Sequence, residues 1–295
     1  MNGILLLNKP KGFTSFDAVA KLRGILRTKK IGHAGTLDPN AEGLLLVLVG
    51  NAARAADLLP DTDKVYRASC TFGISTDTED VWGTIINEQP VSASKEAVER
   101  AILGFTGTYP QVPPMYSAKK INGQKLYNLA RSGVTVEREP VPVTVYEIKD
   151  VNVTLPEASF TAHVSKGTYI RTLITDIAAS IREIAAMSAL TRVKLGKYDL
   201  SSAYRFEDLE KAKEENRLEG LLLPTDSVFS DLPGVHVLPE FESRLQNGNK
   251  LSTDMTEPFS EEFDRVRVYF PDGRFAALYS RCEDGLKPVK IFFER

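Results

Sequence analysis

Hydrophobic positions follow two periods along this chain, so both strands and helices are expected. Residues 4–7 are continuously apolar and stop at Asn8-Lys9-Pro10, which predicts a short buried strand. Thr14-Ser15-Phe16-Asp17 has the spacing of a capping box, and Val19, Leu22, Ile25 and Leu26 follow on one helical face. Residues 44–49 read as a fully buried strand closed by Gly50, and the Tyr- and Thr-rich residues 65–72 as a strand ending at Gly73. Residues 97–103 and 126–131 fit short helices, the second stopped by Gly133. Residues 141–145 and 159–164 read as strands. Ile170, Leu173, Ile174, Ile177 and Ile181 form one face of an amphipathic helix. An acidic helix around residues 206–219 is followed by a break at 223–234, marked by Pro224, Pro233 and Gly234. Beyond it come three short β-like runs, at 266–270, 275–279 and 289–293, the first two separated by a Pro271-Asp272-Gly273 turn. The pattern predicts a mixed α+β chain without internal repeats.

Composition narrows the class. The chain has 295 residues, 42% hydrophobic and 26% charged, with 20 Gly and 16 Pro. Those are ordinary globular proportions and fit about two domains. The longest clean apolar run is residues 44–49, against about 20 needed to span a membrane. Residues 4–7 are too short for the core of a signal peptide. Cys70 and Cys282 stand far apart and read as free thiols of a reducing cytosol, so a cytoplasmic location is expected. His33, His163 and His236 form no metal-ligand spacing, and no glycine-rich nucleotide fingerprint is present. No metal and no cofactor are expected.

The net charge of −2 conceals segregation. Residues 1–60 carry 8 basic and 4 acidic side chains, residues 113–146 carry 5 and 2, and residues 160–200 carry 6 and 3. Residues 205–264 carry 6 and 15, and residues 265–295 return to 7 and 4. The three early basic blocks suggest one polyanion-facing surface built from several loops. Scattered solvated charge would give the same counts.

Candidate chemistry is concentrated in Gly32-His33-Ala34-Gly35-Thr36-Leu37-Asp38-Pro39, just ahead of the apolar run at Leu44. The two glycines let the backbone turn sharply, and Pro39 keeps Asp38 out of the helical region. A single carboxylate is thereby presented on a loop beside a buried strand, though Asp-Pro is also an ordinary turn signal.

This segment continues through Asn40-Ala41-Glu42-Gly43-Leu44 and resembles the GHAGTLDPxAxGxL signature of the TruB family of tRNA pseudouridine synthases. Four further blocks share the resemblance, in the same order. Residues 8–15 resemble NKPxGxTS. Lys64-Val65-Tyr66 with Gly73, Thr76, Asp77, Thr78, Asp80 and Gly83 resemble KxY…GxxTDTxDxxG. Pro113-Pro114-Met115-Tyr116-Ser117-Ala118-Lys119 with Gly123, Tyr127, Ala130 and Arg131 resemble PPxYSAxK…G…YxxAR. Lys166-Gly167-Thr168-Tyr169-Ile170-Arg171-Thr172-Leu173 resemble KGTYIRTL.

The resemblance implies a catalytic domain, residues 1–231, on a mixed, mostly antiparallel sheet. A thumb-like insertion at about 107–140 closes on RNA. A small β-rich domain, residues 232–295, follows, and either an RNA-binding domain of the PUA kind or another β cap fits it. The implied reaction converts the T-loop uridine at position 55 of tRNA to pseudouridine, breaking the carbon–nitrogen glycosidic bond and rejoining the uracil through carbon 5. The resemblance makes Asp38 the nucleophile, Arg171 the cation that holds it ionised, and Tyr66 the ring that stacks on the target base. It places Tyr169 beside this pair, Leu190 against the uracil, and His33 in the gap left by the extruded nucleotide. Lys9, Lys11, Lys64, Lys119, Lys120, Arg131 and Lys166 are the expected phosphate contacts. The partner is the T arm of tRNA, without a membrane, and the protein is expected to be a monomer. A tRNA-folding chaperone with secondary or no catalysis is the alternative. The chain departs from the family after residue 180: Arg182, Ile184, Ala185 and Ala186 stand where glycines and a Gly-Ala-His run are usual, and Leu190-Thr191-Arg192 where Leu-Arg-Arg is usual.

Overall fold

The computed structural model describes every residue except 61, 118, 122, 260, 261 and 295, with the backbone alone at 120, 121, 125 and 131. The chain forms two compact units. The first comprises Met1–Asp38, Leu45–Pro60 and Ala203–Arg295, and the second Pro39–Leu44 and Asp61–Ser202.

The second unit is built on a mostly antiparallel sheet. Its strand Ala185–Leu195 pairs with Lys64–Phe72, which pairs with Glu157–Val164, then Val141–Thr154, then Gly107–Gln111. One parallel contact completes it, Glu42 and Gly43 lying opposite Thr191 and Arg192. The mixed α+β sheet expected from the sequence is therefore present. Helices Lys95–Gly104 and Ile170–Ser180 pack on the strands Val141–Thr154 and Ala185–Leu195 respectively, and on each other. Val98, Ile102, Leu173, Ile174 and Ile177 are the buried residues of those helices, as the 3.6-residue period requires.

In the first unit, Gly3–Lys9, Ile31–Ala34 and residues 45–49 of the strand Glu42–Val49 lie side by side. Helix Ser15–Leu26 buries Ala18, Val19, Leu22, Ile25 and Leu26, and packs on the strand Ile31–Ala34 and on helix Phe206–Glu214. Its start is the expected capping box: Thr14 accepts from the Asp17 amide at 3.0 Å, and the Asp17 carboxylate accepts from the Thr14 amide at 2.9 Å. Residues 234–291 contribute a separate sheet of Gly234–His236, Arg265–Tyr269, Phe275–Cys282 and Gly285–Ile291. Its own apolar core includes Val235, Leu245, Val266, Val268, Tyr279 and Leu286.

Two departures from the sequence expectation have physical causes. The central strand Ala185–Leu195 was not legible, because Ser188, Thr191, Arg192 and Lys194 interrupt its apolar pattern and three alanines weaken it. Arg192 is nonetheless fully buried. Its Nε donates to the Leu44 carbonyl at 2.8 Å. Secondly, Arg182, where the family has glycine, adopts φ +59° and closes the helix Ile170–Ser180 in the left-handed manner usual for glycine. The next residue, Glu183, is buried and accepts from the hydroxyl of Ser92 at 2.6 Å and the amides of Ser92 and Ala93 at 2.8 Å. The hydroxyl bond, then the amides, hold its carboxyl below the usual range.

Gly43 runs opposite Arg192 at φ +102°, and a Cβ there would lie 2.4 Å from the Arg192 carbonyl oxygen. Gly43→Ala is therefore expected to lower the unfolding free energy by about 2 kcal/mol or more, from positive-φ strain and backbone collision together. Urea denaturation followed by circular dichroism measures this, and an unchanged midpoint would show that the close approach is not needed.

Candidate active site

The candidate residues divide between the two units. Asp38 is half-buried at the end of a segment of the first unit. Gly35 turns the chain with φ +69°, whereas Gly32 lies within the strand Ile31–Ala34 and does not turn. Leu37, immediately before Asp38, is only 3% exposed and is gripped through its backbone. Ser15 Oγ accepts from the Leu37 amide at 3.0 Å and donates to the Leu37 carbonyl at 3.3 Å. One buried hydroxyl thus fixes both polar groups of the peptide next to the carboxylate. His33 is half-buried on its strand opposite Val47, and its ring meets Phe16 edge-on, with centroids 5.4 Å apart. Lys9, an expected phosphate contact, is fully buried. Its ammonium donates to the carbonyls of Pro10 at 3.0 Å and Phe13 at 2.6 Å, so it ties the loop that leads into the helix. Lys11 is exposed.

In the second unit, Tyr66 is 7% exposed in the strand Lys64–Phe72, opposite Ala162 on one side and Arg192 on the other. Leu190, 8% exposed, lies opposite Ala68. Since Tyr66 and Ala68 are two residues apart, Tyr66 and Leu190 share one face of the sheet. Arg171 is buried in the first turn of its helix. Its two terminal nitrogens each donate at 2.8 Å, Nη1 to the Thr78 carbonyl and Nη2 to the Tyr116 carbonyl. A single planar guanidinium therefore joins three of the motif blocks, which a lysine ammonium has not the geometry to do. Tyr169 is the residue preceding that helix, and the Gln111 amide clamps it: its N–H donates to Oε1 at 2.8 Å and its carbonyl accepts from Nε2 at 3.1 Å. Lys64 donates to the Thr62 carbonyl at 3.1 Å, Lys119 is half-buried and Lys166 exposed. The side chain of Arg131, that of Lys120 and residue 118 lie outside the described residues.

Four supporting residues were missed from the sequence. Ser15 and Gln111 act through backbone groups far along the chain, which no local pattern reveals. Glu79 and Thr172 are the others. The Thr172 hydroxyl donates to the Glu79 carboxylate at 2.7 Å, beside the bond from Arg171 to Thr78. Adjacent residues of the helix thus hold adjacent residues of the 76–83 loop, and Glu79 adopts φ +64°. Burial pushes the Glu79 carboxyl above the usual range, opposed by Thr172, Arg171 and Arg138. Asp176 is raised by burial as well, and burial raises the Tyr109 phenol next to it. Cys70 is inert, its thiol pushed up to about 12 by burial. Among the described residues, no group of three or more His, Cys, Asp or Glu is placed to hold a metal ion, and no helix is long and apolar enough to cross a membrane.

Solved structures share this fold. A Cbf5–Nop10–Gar1 complex matches with TM-score 0.74 at 23% identity, over 99% of this chain and 85% of that one. An H/ACA ribonucleoprotein bound to a substrate RNA containing 2′-deoxyuridine matches with TM-score 0.73 at 21% identity, over 99% and 86%. These likenesses establish the fold. The family model described as the TruB family pseudouridylate synthase N-terminal domain matches residues 23–170, and that of the tRNA pseudouridylate synthase B C-terminal domain matches residues 171–230. The tRNA pseudouridine synthase B of Lachnoclostridium phytofermentans is 44% identical, over 99% of this chain and 100% of its own. Those of Clostridium kluyveri and Bacillus pumilus are 38% and 39% identical, over 99% of this chain and 100% and 97% of theirs. The chain belongs to the TruB family of pseudouridylate synthases.

Two outcomes are expected. Ser15→Ala leaves the Leu37 amide buried without its acceptor, costing about 1–3 kcal/mol in denaturant titration. A neutral effect would mean that the hydroxyl clip does not hold the loop. The second concerns pH. The raised Glu79 carboxyl binds its proton more tightly in the folded chain, so its contribution to stability is complete below pH 4.5 and declines as pH rises through the folded value. Wild type should therefore lose stability relative to Glu79→Gln between pH 4.5 and neutrality, Asp176 being common to both. A difference that does not vary with pH would contradict the burial of this acid.

Proposed function

We propose that this protein isomerises the uridine at position 55, in the T loop of tRNA, to pseudouridine. The observation that carries the reading is the full-length match to relatives named tRNA pseudouridine synthase B, 38% to 44% identical over 99% of this chain. The atoms balance within one nucleotide. The bond from nitrogen 1 to the ribose is exchanged for one from carbon 5, carbon 5 gives up its proton, and nitrogen 1 gains one.

Asp38 is the proposed nucleophile. A carboxylate that bonds covalently divides such a rearrangement into easier steps, provided that it is ionised and held still. The Ser15–Leu37 clip supports the second condition and Arg171 is the proposed source of the first. Tyr66 supplies a rigid ring from the sheet to stack on the uracil, with Leu190 on the same face and Tyr169 held by Gln111 beside Arg171. Extruding the nucleotide costs about a few kcal/mol, and His33 is proposed to brace the gap. Lys11, Lys64, Lys119, Arg131 and Lys166 are proposed phosphate contacts. The burial of Lys9 supports a part in shaping the loop instead. The same reading has the protein acting as a cytoplasmic monomer on the T arm, with the sheet of residues 234–291 as an accessory RNA-binding part.

The test is a pseudouridine map of an unmodified tRNA transcript incubated with wild type or Asp38→Asn. Product confined to the T-loop uridine, and lost in the variant, is expected. Wild type that binds the transcript but makes no product would favour a folding chaperone.

A further inference from the structure

Three consecutive residues at the start of helix Ser15–Leu26 have three different surroundings. Thr14 caps the helix and is locked to Asp17 through two bonds at 2.9 and 2.6 Å to the same carboxylate oxygen. Ser15 is 1% exposed and holds Leu37 next to Asp38. Phe16 points the other way and is 70% exposed. Its ring stands at 86° to that of His33, a geometry in which the edge of one aromatic ring meets the face of the other. The ring is therefore oriented while most of its surface stays in water.

Several observations identify what would cover it. Among the described residues of 1–60, the exposed large hydrophobics are Met1 and Phe16 alone, so the apolar feature is about one ring in size. A protein-docking face needs a patch of a few hundred Å². The acid of this turn, Asp17, is engaged by Thr14, and Lys11 is exposed five residues before Phe16 in a block carrying 8 basic against 4 acidic side chains. A rigid, exposed aromatic in a basic setting suits a flat polyanion component, and nucleic-acid bases stack on such rings. Phe16 follows directly on Ser15, whose hydroxyl holds the peptide preceding Asp38.

We propose that Phe16, oriented by His33, is a stacking platform for a nucleobase of the substrate RNA and so a determinant of how the target uridine is presented to Asp38. The proposal rests on the functional reading above. Phe16 is a binding residue and takes no part in bond exchange.

The experiment compares wild type, Phe16→Leu and Phe16→Trp on an unmodified tRNA transcript, measuring kcat/KM for pseudouridine formation, transcript affinity at several salt concentrations, and Tm. Leucine keeps apolar bulk without a π face, whereas tryptophan keeps the face. Phe16→Leu should lose on the order of tenfold in both kcat/KM and affinity, the scale of one base–aromatic stack. Phe16→Trp should recover most of this, with Tm unchanged in both because the side chain is exposed. The slope of log affinity against log salt should stay that of wild type in Phe16→Leu, since no phosphate contact is removed. Wild-type behaviour of Phe16→Leu, equal loss in Phe16→Trp, or a changed salt slope would each overturn the platform. Absence of product with wild type would sink the underlying reading instead, and the affinities of the three proteins would still decide whether a base stacks on Phe16.

Discussion

A buried guanidinium organises the second unit. Arg192 is fully enclosed within the strand Ala185–Leu195, and a charge so enclosed must find acceptors or cost several kcal/mol. One acceptor is the carbonyl of Leu44, which fixes residues 42–44 against that strand. The fit is tight enough that only a residue without a side chain occupies position 43. The end of the motif that bears Asp38 is in this way tied to the sheet that bears Tyr66 and Leu190. Position 192 is where the family's second arginine falls, and here its guanidinium serves the chain's own backbone.

The same economy recurs at each candidate side chain. Carbonyl and amide groups of loops, which have no ladder partner, are satisfied by buried side chains. Ser15 does this for Leu37, Gln111 for Tyr169, Lys9 for Pro10 and Phe13, and Arg171 for Thr78 and Tyr116. Loops that would otherwise be mobile are held by bonds whose loss strands a buried polar group. Precision of this kind suits a reaction in which one base must leave, turn and rejoin without being released.

The acids around Arg171 show what that rigidity costs. Glu79 sits at positive φ with its carboxyl raised by burial, and Asp176 is raised too. Both arrangements are unfavourable locally and persist because Thr172 and Arg171 hold Glu79 and Thr78 while Tyr109 bonds Asp176. Strain collected around one arginine is common at sites where geometry matters more than stability.

Local periodicity and turn chemistry were enough to determine most elements of this protein from sequence alone. The capped first helix, the strand at 44–49, the helix beginning at Ile170 and the first two of the three C-terminal strands lie where their patterns put them, because each satisfies its own period, whereas the third, expected at 289–293, runs over Gly285–Ile291. The motif blocks likewise identified Asp38, Tyr66 and Arg171 as the residues to watch. Only the tertiary structure revealed the strand Ala185–Leu195, since a buried arginine is indistinguishable in sequence from an exposed one. It alone showed that Lys9 points inward and that Ser15 reaches Leu37. It also set Phe16 against His33. The reason is common to all four. Each depends on how the folded chain surrounds a side chain, and those surroundings leave no mark on the local pattern.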